Sequence, residues 1–121
     1  MAESCTGGGF RQIITRVSGS LAWFDCGFVT YNNKSKTKFL GANFKLIKKE
    51  GAVSEVVARE MVLGVLKRSN TSITVSITDV AGPRSIRKDK LVGTVWVAIA
   101  NKGGFIEYRK VFFLKIGASC L

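Results

Sequence analysis

Apolar residues recur at two different periods along this 121-residue chain, and the changes between them mark its elements. Phe10, Ile13, Ile14 and Val17 stand at i, i+3, i+4 and i+7, which is one face of a helix over residues 10–17. Val17-Ser18-Gly19-Ser20 reads as a turn. Residues 24–31 then end in aromatic and β-branched positions and read as a strand. Asn32-Asn33 breaks it, residues 34–40 make a short helix that Gly41 stops, and Asn43 caps a further helical piece up to Glu50. Residues 54–68 form the longest helix, with Ser54 as N-cap, Glu55 at the positive end and Lys67 and Arg68 at the negative end. Val57, Met61, Gly64 and Val65 share one face of it. Val56, Val62, Leu63 and Leu66 spread apolarity around the rest, so this helix is expected to be mostly buried, with Gly64 admitting a close neighbour. Residues 73–78 alternate Ile/Val/Ile with Thr/Ser/Thr, the pattern of a strand with one buried face. A loop over residues 79–91 holds the single proline, Pro83. Residues 92–100 are nearly continuously apolar, as in a central strand covered on both sides. Lys102-Gly103-Gly104 turns the chain into a last strand over residues 105–113, paired as a hairpin. The expected fold is a three-layer-like α/β sandwich with a mixed parallel and antiparallel sheet, in one domain over residues 1–121.

Composition narrows the chemistry more than the fold. No apolar run approaches the roughly 18 residues of a membrane span. The N-terminus lacks the layout of a secretory signal, which gives the expectation of a cytoplasmic protein. Cys5, Cys26 and Cys120 are three widely spaced thiols without a C-x-x-C pair, arguing against a disulfide framework or a structural zinc site. Histidine is absent, so neither a Ser-His-Asp nor a Cys-His unit can be built from this chain. Any general base has to come from Lys, Tyr, Asp, Glu or a terminal amine. The net charge of +11 is concentrated in residues 34–49 and 84–90. Neither run is read as interleaved with the aromatic rings of a single-strand-binding platform, which favours solvated basic faces or attraction of a small anion.

Candidate chemistry begins at Ala2-Glu3-Ser4-Cys5-Thr6-Gly7-Gly8-Gly9. Three nucleophile-capable side chains run into three glycines just ahead of a helix. Free backbone N–H groups there can hold a phosphate, a carboxylate or an oxyanion. The plain alternative is a glycine turn with Thr6 as helix cap. A second cluster, Thr30-Tyr31-Asn32-Asn33-Lys34-Ser35-Lys36, lies where a strand gives way to a helix, the usual place for ligand sites in α/β sheets. Lys36 is either a solvated helix lysine or the base of a Ser–Lys or Ser–Tyr–Lys arrangement.

Taken together, these stretches resemble the CinA C-terminal domain family, which includes nicotinamide-nucleotide amidohydrolases. The signature Ala2-Glu3-Ser4-Cys5-Thr6-Gly7-Gly8 opens it. Ala22-Trp23-Phe24, Gly27-Phe28-Val29-Thr30-Tyr31, Asn33, Lys36, Leu40-Gly41, Gly51-Ala52-Val53-Ser54-Glu55, Ala81-Gly82-Pro83 and Val92-Gly93-Thr94-Val95-Trp96 follow in the family's order, over residues 2–100. The resemblance implies hydrolysis of the carboxamide of nicotinamide mononucleotide to nicotinate mononucleotide and ammonia. It further implies a cytoplasmic homo-oligomer of pyridine nucleotide recycling that needs no metal or other cofactor and contacts no membrane. Carried over by motif, Ser4 is the nucleophile in preference to Cys5 or Thr6, and Tyr31 and Lys36 are base and proton-relay candidates. Thr6, Gly7 and Gly8 offer backbone N–H groups, and Asn33, Thr78, Ala81 and Gly82 bind substrate.

The departures carry expectations too. Met1 directly precedes the signature, Ser18-Gly19-Ser20-Leu21 replaces a Pro-Gly-Ser-Ser turn, and Arg84-Ser85-Ile86 replaces glycines after Pro83. Phe112-Phe113-Leu114-Lys115-Ile116 stands where a Phe-x-Gly-Asp-Arg segment and a closing helix are expected. These read as truncation at both ends, impairing activity and exposing an apolar sheet face that favours oligomerisation. The alternatives are a non-catalytic remnant that binds nucleotide or a partner, and a basic nucleic-acid-binding module.

Overall fold

The computed structural model describes residues 1–4, 8–79 and 93–112. They form four helices and a mixed five-stranded sheet. In chain order the elements are β1 (Ala2–Glu3), α1 (Gly9–Thr15), β2 (Phe28–Val29), α2 (Asn33–Leu40), α3 (Phe44–Glu50), α4 (Glu55–Arg68), β3 (Ile73–Asp79), β4 (Thr94–Asn101) and β5 (Ile106–Phe112). The sheet order is β2-β1-β3-β4-β5. β1 pairs in parallel with both β2 and β3, whereas β3–β4 and β4–β5 are antiparallel. None of the described helices is long and apolar enough to cross a membrane.

Helix ends follow their caps. Asn32 accepts from Ser35 N–H at 2.8 Å, Asn43 from Lys45 N–H at 2.9 Å, and Ser54 from Val57 N–H at 3.2 Å. Each thus satisfies an amide that the first helical turn leaves open. α4 is buried along Val57, Ala58, Met61, Val62, Gly64 and Val65, as its apolar pattern requires. A Cβ on Gly64 would lie 2.0 Å from the Leu40 carbonyl oxygen, so α2 can end against α4 only because that position is glycine. Arg68 Nη1 donates to the same Leu40 carbonyl at 3.1 Å and fixes the approach.

Several expectations are corrected. The first helix closes at Thr15, and only part of its apolar stripe is covered: Ile13 and Val17 are 50% and 53% exposed. The strand expected over residues 24–31 is just Phe28–Val29, because Phe24 N–H still donates back to Ser20 O at 2.7 Å, in the turn that ends the 3-10 helix over Ser20–Ala22. β3 keeps the expected mostly buried face, and it is the hydroxyl side: Thr74, Ser76 and Thr78 are 3%, 0% and 0% exposed against 63% for Ile73, although Ile77 on the other side is also buried. Their hydroxyls donate to Val62 O, Ala58 O and Ala52 O at 3.1, 2.7 and 2.9 Å. Small residues, Ala58 on α4 and Ala98 and Ala100 on β4, bring helix and sheet close enough for those bonds. Among the described residues, β4 is accordingly fully covered on one side only. Val95 and Val97 are half-buried on the other, and Ile99 is 39% exposed there. Finally, the basic run 34–49 does carry aromatic rings. Phe39 and Phe44 are 49% and 42% exposed, with Lys38 and Lys48 ammonium groups over their faces.

Candidate active site

β1 is where the strand order turns back: β2 lies on one side of it and β3 on the other. α1 connects β1 to β2, while α2, α3 and α4 connect β2 to β3. Ala2 packs with Leu40, Ile47, Val57 and Met61 of the second helical group. Glu3 points the other way, and its carboxylate accepts from Phe10 N–H at 3.0 Å and Arg11 N–H at 3.4 Å in the first turn of α1. The end of β1 is therefore the crevice at the carboxyl ends of parallel strands in which α/β proteins place ligands.

Ser4 stands at that end, 3% exposed, its N–H donating to Ile77 O at 3.1 Å. Lys36, on the buried side of α2, is 1% exposed. Its Nζ donates to Ser4 Oγ at 3.1 Å, to Thr30 O at 2.8 Å and, at longer range, to Tyr31 O at 3.4 Å. Residues 32 apart in sequence are thus joined by a buried hydrogen bond. At 3.1 Å the amine is within the distance at which a neutral lysine can take a proton from a serine hydroxyl.

The remaining expected site residues divide. Tyr31 reaches Lys36 through its carbonyl, while its side chain is 69% exposed. Asn33 opens α2 and is exposed. Gly8 is buried and caps α1 in the left-handed conformation. Thr78 is fully buried, with its hydroxyl bound to Ala52 O. Cys5, Thr6, Gly7, Ala81, Gly82, Pro83 and Cys120 lie outside the described residues. The expectation of an anion at the positive end of α1 is altered by Glu3, whose carboxylate already takes the Phe10 and Arg11 amides. Sequence reading passed over Glu3, because a carboxylate that reaches a helix start from a preceding strand has no fixed spacing from it in the sequence. Burial, and then the hydrogen bond and charge of Asp25, push the Cys26 thiol up, which holds it protonated and away from nucleophilic use. At the opposite end of the sheet, Leu21, Trp23, Phe24, Asn70 and Ile73 line an open groove of about 450 Å³.

Comparison with known proteins gives the family. The CinA C-terminal domain profile matches residues 1–116. The chain belongs to that family. It is 48% identical over 112 residues to the nicotinamide-nucleotide amidohydrolase PncC of Enterobacter agglomerans, an alignment covering 93% of this chain and 68% of that protein. Identity to the PncC of Escherichia coli (strain K12) is 47%, with 92% and 68% covered. Among solved structures, the competence/damage inducible protein CihA from Agrobacterium tumefaciens superposes with a TM-score of 0.91 at 38% identity, covering 96% of this chain and 70% of that one. Ser4 and Lys36, the two residues of the buried pair, both fall within the matched span.

Proposed function

We propose that this CinA-family chain is a nicotinamide-nucleotide amidohydrolase, converting the carboxamide of nicotinamide mononucleotide to a carboxylate with release of ammonia. The observation that carries the reading is the buried Ser4 Oγ–Lys36 Nζ hydrogen bond. As a neutral amine, Nζ keeps two N–H bonds to the Thr30 and Tyr31 carbonyls and turns its lone pair to the Ser4 hydroxyl. Ser4 Oγ then adds to the carboxamide carbon while Nζ takes its proton. The carbon–nitrogen bond breaks, and Nζ passes the proton to the departing ammonia. Backbone N–H groups of Thr6, Gly7 and Gly8 receive the developing oxyanion. Asn33, Thr78, Ala81 and Gly82 line the nucleotide side, with the Tyr31 phenol available as a further relay. In this reading the enzyme is a cytoplasmic homo-oligomer, and its half-exposed apolar sheet face is the surface for a second copy.

Ammonia release from nicotinamide mononucleotide tests it, with Ser4→Ala and Lys36→Met alongside. Each substitution is expected to lower turnover by about 10³-fold or more, with the far-ultraviolet circular dichroism of the wild type retained. Wild-type turnover in Lys36→Met would remove the base from this scheme. A second reading, a nucleotide binder without chemistry, draws on the burial of Ser4 and Lys36, 3% and 1% exposed. Saturable binding of nicotinamide mononucleotide with no ammonia from the folded wild type would select it.

A further inference from the structure

Most buried hydroxyls in this fold have a named acceptor. Thr74, Ser76 and Thr78 donate to carbonyls of the helical layer, and Ser54 Oγ donates to Gly51 O. Thr30 is different. It is 1% exposed, and its Oγ1 is buried without a hydrogen-bond partner. Polar atoms left so are few in folded proteins, and an ordered water or a catalytic role is the usual explanation.

Its position says which water. Thr30 N–H donates to Glu3 O at 3.0 Å, carrying the β1–β2 ladder one residue past the strands and setting residue 30 beside residue 4. Neighbouring strands run about 4.8 Å apart. Phe28, two residues earlier, packs with Ala2 and Leu40 on the α2 side, and strand alternation sends the Thr30 side chain the same way. The Thr30 carbonyl is held by Lys36 Nζ at 2.8 Å. The unpartnered hydroxyl therefore belongs to the residue that touches both strand and base next to Ser4.

We infer that the Thr30 hydroxyl positions the water that hydrolyses the acyl-enzyme; this rests on the Ser4–Lys36 amidohydrolase reading. In that intermediate the acyl carbon is esterified to Ser4 Oγ and ammonia has left. One water O–H is donated to Thr30 Oγ1 and the other to the Lys36 Nζ lone pair. The water oxygen adds to the acyl carbon and Nζ takes one proton. The carbon–Oγ bond then breaks and Nζ returns that proton to Ser4, leaving the free carboxylic acid and the starting enzyme. Thr30 acts as a positioning residue for the second half of the reaction and is dispensable for the first.

The experiment is rapid-mixing measurement of ammonia and acid release from nicotinamide mononucleotide by wild type, Thr30→Val, Thr30→Ser and Thr37→Val. Thr37 Oγ1, also buried and unpartnered but on α2, serves as control. Thr30→Val is expected to release one equivalent of ammonia per chain at close to the wild-type rate and then turn over about tenfold more slowly or worse. Hydroxylamine should restore its turnover by capturing the acyl group as hydroxamate. Thr30→Ser and Thr37→Val should stay near wild type, and Thr30→Val should melt no lower than wild type, since it removes a hydroxyl that has no partner. A Thr30→Val protein at the wild-type steady rate overturns the inference. So does one in which burst, steady rate and melting temperature fall together. A folded wild type that releases no ammonia fails the amidohydrolase reading itself, and the inference with it.

Discussion

The two faces of the sheet are built by opposite rules. On the side of α4, strand β3 presents Thr74, Ser76 and Thr78, all at most 3% exposed, and each hydroxyl is spent on a backbone carbonyl of the layer above. On the other side the same strand and its neighbours present Ile73, Val75, Val97 and Ile99, which are half-buried or exposed. The polar stripe is inside, and the apolar stripe is open except at Ile77, which is buried between β1 and β4. Distance explains the inversion. Where small residues let helix and strand approach closely, a Ser or Thr side chain fits and reaches a carbonyl, and a β-branched aliphatic would be too large. The tight side is also the side that carries Lys36 and its bond to Ser4.

The largest effect on this contrast is expected from Gly64→Ala. The added methyl meets Leu40 O at 2.0 Å, against backbone rather than a movable side chain. The loss from overpacking, about 3 kcal/mol, should outweigh the roughly 1 kcal/mol gained in helix propensity. Because α2 must retreat, amidase activity should fall further than stability alone explains. Urea unfolding with parallel ammonia assays checks both, and a protein as stable as wild type would show the approach is not constrained. Next comes Ser76→Val, which puts an aliphatic where the sequence pattern would accept one. It removes the 2.7 Å bond to Ala58 O at a fully buried position and adds volume, for an expected loss of about 2 kcal/mol. A neutral result would mean the hydroxyl face is incidental.

Legibility in the sequence follows the same divide. Local signals were readable: Asn43 and Ser54 cap α3 and α4 as their side-chain chemistry predicts, and Gly64 sits where close approach demands it. The pairing of Ser4 with Lys36 was anticipated from chemistry and motif resemblance, since the absence of histidine left lysine among few possible bases. What strand periodicity could not give was the face of β3. Alternation states that two sides differ but does not state how near the covering helix comes, and that distance depends on Ala58, Ala98 and Ala100 in other elements. Thr30 escaped for a related reason: its unpartnered hydroxyl is a property of three-dimensional surroundings.

The smallest expected effect on the fold is on the open face, and it bears on assembly. Ile99 is 39% exposed on the sheet side away from α4. A lysine there can carry its ammonium into solvent while its stem lies on the neighbouring valines, so a single chain should lose no more than about 0.5 kcal/mol on Ile99→Lys. The corresponding change on the tight face, Ala98→Lys, would bury a charge at a 0% exposed position and should unfold the chain. If a second copy covers the open face, Ile99→Lys places like charges across the contact and dissociates it. Light scattering should then give the monomer mass for the variant and a multiple of it for wild type, with the two melting temperatures close when extrapolated to low concentration. An unchanged assembly would move the contact elsewhere, and the exposed Leu21 and Trp23 beside the groove at the other end of the sheet would be the next positions to charge.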